Sequence, residues 1–185
     1  MGHQHGAAAS SGARELLHSE ARRYAVPIHA IARALDIVDI REEPLRSIEG
    51  ALIMRPDRDV GAILANANSS RQRRRYTVAH ELGHFLNLWH QPANEGGFAC
   101  TTEDLGTPWG GVSRDAGRHR LQESQANRFA IELLAPATRV KPLLKGIPDL
   151  EQVIAVSADL DISKEAAAPI CRTMRAAHRR RLRAR

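Results

Sequence analysis

RRRYTVAHELGHFLNLWH, residues 73–90, is the stretch on which the reading of this chain turns. It contains His80-Glu81-Leu82-Gly83-His84. Residues i and i+4 project from one face of an α-helix, so His80 and His84 can converge on one ion. Neutral imidazole suits zinc, at roughly 2.0–2.1 Å per Zn–N bond. Glu81 points off that axis, where a carboxylate can serve as a general base toward water. Val78, Leu82, Phe85 and Trp89 mark an apolar stripe. At about 100° per residue the two histidines fall roughly 200° from it, so they read as non-core residues. The spacing predicts a helix from about Gln72 to Trp89.

Working outward, residues 67–71 (ANSSR) are a polar break. Before them, residues 48–55 (IEGALIMR) and 60–66 (VGAILAN) read as strands joined by a turn at Pro56–Asp59. Residues 36–40 (DIVDI) are β-rich and alternating. From about Ala13 to Leu35 the spacing is helical, and Pro27 starts a second helix there. On the other side, Gln91 to Gly117 is a long loop containing glycine and proline, of a length that is usually functional or mobile. It carries Cys100, read first as a free loop thiol and second as a thiolate for the open position of a metal. A strong helix then runs from about Arg118 to Leu134, ended by Pro136. Residues 137–185 read as helical with breaks, and 149–174 have a helix-turn-helix flavour with Ser163 as a cap. The expected organisation is a leader at 1–12, a metal-site domain at 13–140 and a helical C-terminal region at 141–185.

A zinc site needs a third protein ligand, and two residues compete. His90 follows His84 by six residues, and HELGHFLNLWH fits the metzincin pattern except for Asn87 in place of glycine. The Met-turn of that class has no counterpart, since Met174 is the only methionine downstream. Glu123, in ESQANRFAIELLAP (123–136), would make a His-His-Glu set resembling that of thermolysin. Asn127 lies on the same helical face as Glu123, placed to orient a histidine, with Ala126, Phe129, Ala130, Leu133 and Leu134 as the opposite, core-facing stripe. His119 and Arg118 begin this helix as candidates for stabilising an oxyanion.

RRRYTVAHELGHFL followed by ESQANRFAIELLAP resembles the ImmA/IrrE family of metallo-endopeptidases, over roughly residues 20–140. The resemblance implies an α+β, zincin-like fold with a small, mostly antiparallel sheet and a helical C-terminal region. It implies His80, His84 and Glu123 as ligands of Zn2+, and Glu81 as the catalytic base. Manganese also suits such an N2O set. Leu88 stands where family members often carry a further histidine. The resemblance further implies a protein substrate, typically a helix-turn-helix transcriptional repressor. By fold analogy, strand Val60–Ala65 would receive that substrate at a sheet edge above the cleft. The reading of another class is a non-proteolytic, toxin–antitoxin-like binding protein that keeps the fold.

The remaining features bound these readings. Hydrophobic residues make up 43% of the 185, so disorder is excluded, and aromatics only 4%, so the core rests on aliphatics. The net charge of +6 is carried by arginine, in a cluster at 71–75 and in a tail at 172–185. Nucleic-acid contact through the tail is a third reading, but solvated surface is the preferred one for both clusters. Two cysteines are too few for a disulfide framework. No apolar run reaches the roughly 18–20 residues of a membrane span, and the N-terminus lacks a signal-peptide pattern. A cytoplasmic setting is expected.

Overall fold

The computed structural model describes residues 25–92, 97–102, 104–105, 117–146 and 148–183. The expected leader and first helix lie outside them. The elements are α1 (Ile28–Ala34), β1 (Ile37–Glu43), β2 (Gly50–Met54), β3 (Gly61–Asn66), α2 (Arg71–Leu86), β4 (Gly97–Cys100), α3 (Arg118–Leu134), α4 (Ala137–Leu143), α5 (Asp149–Leu160) and α6 (Lys164–Arg183). The fold is α+β with a small mixed sheet. Among the described residues no helix is long and apolar enough to cross a membrane.

Residues 27–139 form one compact unit. Its sheet has the order β1-β3-β2-β4. β1 runs parallel to β3; the β2–β3 and β2–β4 pairs are antiparallel. Gly50–Met54 and Gly61–Asn66 form the expected hairpin, with Gly50 opposite Ala65 and Met54 opposite Gly61. Asn66 ends it and staples the preceding connection: its amide nitrogen donates to the carbonyls of Leu45 and Ile48, each at 3.1 Å. β3 is an interior strand bonded on both sides, which overturns the expectation that Val60–Ala65 lines the cleft as an edge. The edge beside the site is β4, a strand inside the segment expected to be loop. Four residues are too few for a periodic signal. Gly97 begins it because a Cβ there would lie 1.9 Å from the Leu52 carbonyl oxygen.

Ser70 caps α2, its side chain accepting from Arg73 N at 3.2 Å. One side of the helix buries Val78, Leu82 and Phe85, as the stripe predicts. His80 and His84 are buried too, because α3 covers the opposite side. The helix ends at Leu86, short of Trp89, which is 88% exposed. The physical reason lies in the β2–β3 turn. Arg58, at φ 55°, donates to the carbonyls of His84 (3.0 Å), Phe85 (3.4 Å), Asn87 (2.9 Å) and His90. It thereby caps the negative end of the helix.

Gly83 sets the approach of α2 to α3. A Cβ on it would meet Ala126 Cα at 3.1 Å and the Ala126 carbonyl oxygen at 3.3 Å. Ala126, Ala130 and Leu134 are therefore buried on the same side as Glu123 and Asn127, and not on an opposite stripe as expected. The arginine cluster is also more than solvated surface. Arg75 is buried, Arg74 pairs with Glu42 at 2.9 Å, and Arg73 donates to the Leu105 carbonyl at 3.3 Å.

The second unit contains residues 140–183. α5 and α6 pack together, burying Val156, Leu160, Ala167, Ile170 and Cys171. Ser163 Oγ accepts from Ala166 N at 3.2 Å, the expected cap. Arg175 pairs with Asp149 and donates to Gln152 Oε1 at 3.1 Å.

Candidate metal centre

α2, α3 and β4 bring four donor side chains to one point: His80, His84, Glu123 and Cys100. His80 Nε2 lies 3.0 Å from His84 Nε2 and 3.1 Å from Glu123 Oε2; His84 Nε2 lies 3.3 Å from Glu123 Oε1. Four donors at ordinary Zn–N and Zn–O lengths stand about 3.3 Å apart at the corners of a tetrahedron, and about 3.5 Å where one is sulfur. The spacing fits a metal ion. All four residues are buried, with His80 and His84 fully enclosed.

The hydrogen bonds behind the histidines decide which nitrogen faces inward. Asn127 Nδ2 donates to the Asp104 carbonyl at 2.7 Å, so Asn127 Oδ1 is an acceptor. It accepts from Tyr76 Oη at 2.8 Å and lies 3.0 Å from His80 Nδ1. The His80 proton is thus on Nδ1, and Nε2 presents a bare lone pair. Gln125 Oε1 accepts from Asn87 Nδ2 at 3.4 Å and lies 2.9 Å from His90 Nε2. His90 therefore donates from Nε2 and accepts at Nδ1, which sits 3.0 Å from His84 Nδ1. His84 in turn carries its proton on Nδ1 and points a bare Nε2 at the cluster. Burial favours these neutral rings: it is the first cause lowering His90, and it lowers His84 to about 4. Two bare nitrogens 3.0 Å apart beside a carboxylate require a cation or a shared proton between them.

Glu81 is fully buried, and neither of its oxygens has a hydrogen-bond partner among the described residues. Burial pushes its carboxyl up to about 7. A Cβ on Gly50 would lie 3.0 Å from Glu81 Oε1 and 2.2 Å from Thr77 Cγ2, so only glycine leaves room for this side chain at the start of β2. An orphaned, enclosed carboxyl beside a donor cluster has the chemistry of a proton acceptor.

The structure groups His80, His84 and Glu123 with Cys100, sets the buried Glu81 next to His80 in the same helix, and places Asn127 Oδ1 3.0 Å from His80 Nδ1. His90 stands behind His84 and does not join the cluster, which removes the metzincin-like alternative. Cys100 is no free loop thiol: its Sγ lies 3.3 Å from His80 Nε2. Burial, then the Glu81 and Glu123 carboxylates, push that thiol up. His119 is exposed, 3.7 Å from Glu123 Oε1, and Arg118 pairs with the Gln91 side chain. Arg58 escaped the sequence reading; only its place in a charged turn marked it.

Residues 32–104 match the Peptidase_M78 family model, described as an IrrE N-terminal-like domain. The match takes in His80, Glu81, His84 and Cys100 and ends before Glu123. Comparison with curated proteins gives no match.

Proposed function

We propose, from the match of residues 32–104 to the IrrE N-terminal-like domain, that the chain is a zinc-dependent endopeptidase of the ImmA/IrrE family acting on a specific protein. His80, His84 and Glu123 hold the ion, and Glu81 is the catalytic base. The observation that carries the reading is the convergence of two bare Nε2 atoms and a carboxylate beside the orphaned Glu81. Zinc bound there would supply Lewis acidity toward a peptide carbonyl and toward water. Glu81 accepts the proton of the attacking water at a carboxylate oxygen and returns it to the leaving amine. Asn127 and His90 keep the two imidazoles in the inward-facing tautomer.

The family resemblance favours a helix-turn-helix transcriptional repressor as the substrate. A reducing, cytoplasmic setting accords with two buried cysteines, Cys100 and Cys171, that form no disulfide. The metal is tested first. Purified protein is expected to hold about one zinc per chain, and His80→Ala and Glu123→Gln to give it up to a chelator far more readily. Glu81→Gln should keep the metal but fail to cut a co-expressed repressor. Absence of metal from the reconstituted wild type would overturn the peptidase reading and leave a non-proteolytic binding protein on the same fold.

A further inference from the structure

A three-donor catalytic site ordinarily keeps one position open for water or substrate. Here that side of the cluster is filled from β4. Cys100 Sγ lies 3.3 Å from His80 Nε2, 3.9 Å from His84 Nε2 and 3.9 Å from Glu123 Oε2. These spacings bracket the roughly 3.5 Å expected between sulfur and its neighbours around a tetrahedral zinc. The placement is not incidental to the sheet. Cys100 is the partner of Gly50 in the β2–β4 ladder, and Glu49 N donates to the Cys100 carbonyl at 2.8 Å. Two residues earlier on the same face, Phe98 stacks on His84 with ring centroids 4.3 Å apart. β4 thus lays a ring and a sulfur over the two histidines.

We propose that Cys100 is a fourth metal ligand and that the folded chain holds its ion in a closed His-His-Glu-Cys site. The inference rests on the metallopeptidase reading and adds a regulatory state to it. With four protein donors the ion has no place for a substrate carbonyl, so the enzyme is latent until Sγ leaves. Sγ can leave by rotation about the Cα–Cβ bond or by a shift of β4, whose backbone pairing fixes only where the side chain starts. A soft sulfur donor also favours zinc over manganese, which prefers oxygen.

The test is the absorption spectrum of the full-length protein loaded with Co(II) alone, compared with Cys100→Ser and Cys100→Ala. The wild type is expected to show a strong near-ultraviolet sulfur-to-cobalt band along with visible bands of a four-coordinate ion. Both variants should lose the near-ultraviolet band and keep visible bands. Cobalt bound by the wild type without the sulfur band would overturn the closed site and leave the peptidase reading standing. Persistence of that band in both variants would assign the sulfur to another residue and likewise overturn it. Failure of the wild type to bind cobalt at all would sink both readings together. If these variants do not fold, the wild-type spectrum still decides whether a thiolate binds the ion, and Cys171→Ala, the change at the one other cysteine of the sequence, should keep the sulfur band; its loss there would overturn the closed site.

Discussion

His90 makes no contact with the proposed ion, yet the state of His84 depends on it. Its Nδ1 accepts the His84 Nδ1 proton while its Nε2 is tied to Gln125 at 2.9 Å. Replacing it with phenylalanine keeps the volume and removes the acceptor. Zinc affinity should then fall about 10–100-fold, with one ion still bound at saturating zinc. A loss as large as that from His80→Ala would show instead that His90 is a ligand; competitive chelator titration separates the two. Asn127→Ala should weaken zinc comparably, since His80 loses its fixed acceptor and Asp104 a donor. Asn127 was legible in sequence because a residue four beyond Glu123 shares its helical face. Which histidine it would hold was not, since that depends on how α3 lies against α2. His90 was legible as a candidate, but its place behind His84 follows from a chain reversal that Arg58 pins by donating to the carbonyls of His84, Asn87 and His90.

Gly83 and Arg58 decide how the helices stand. Alanine at Gly83 would favour the α-helix by about 1 kcal/mol through intrinsic propensity. It would also place a methyl 3.1 Å from Ala126 Cα, a backbone atom that cannot swing aside. Overpacking of this kind costs about 1–3 kcal/mol, so the clash should win or break even. Gly83→Val should be clearly destabilising and should weaken zinc binding, because Glu123 moves with α3; urea melts with and without zinc report both effects. Arg58→Ala leaves several carbonyls at the end of α2 without their donor. A loss of about 1–3 kcal/mol in stability is expected from the same melts. The hairpin, α2 and α3 were readable from their periodicity and turn residues. β4 was not, and with it went the location of Cys100.

Across the whole molecule, the donors come from α2, β4 and α3, so a bound ion would tie three elements of one unit together. Zinc at about a thousandfold over its Kd stabilises a fold by roughly 4 kcal/mol. For a chain of this size that amounts to a Tm increase on the order of 10 °C. Thermal melts should show this increase for wild type and for Glu81→Gln, and not for His80→Ala; a similar rise in His80→Ala would place the binding elsewhere. The sequence by itself determined what local periodicity can encode. Two histidines one helical turn apart, a carboxylate and an amide one turn apart, and alternating strands around a tight turn are properties of single elements, set by the 3.6- and 2-residue repeats of the backbone. Tertiary structure alone decided the strand order, the burial of the second side of α2 and the arrival of Cys100 at His80. Those contacts join residues on different elements: β2 pairs with β4 in a register that sets Gly50 beside Cys100, and Gly83 lets α3 close over α2.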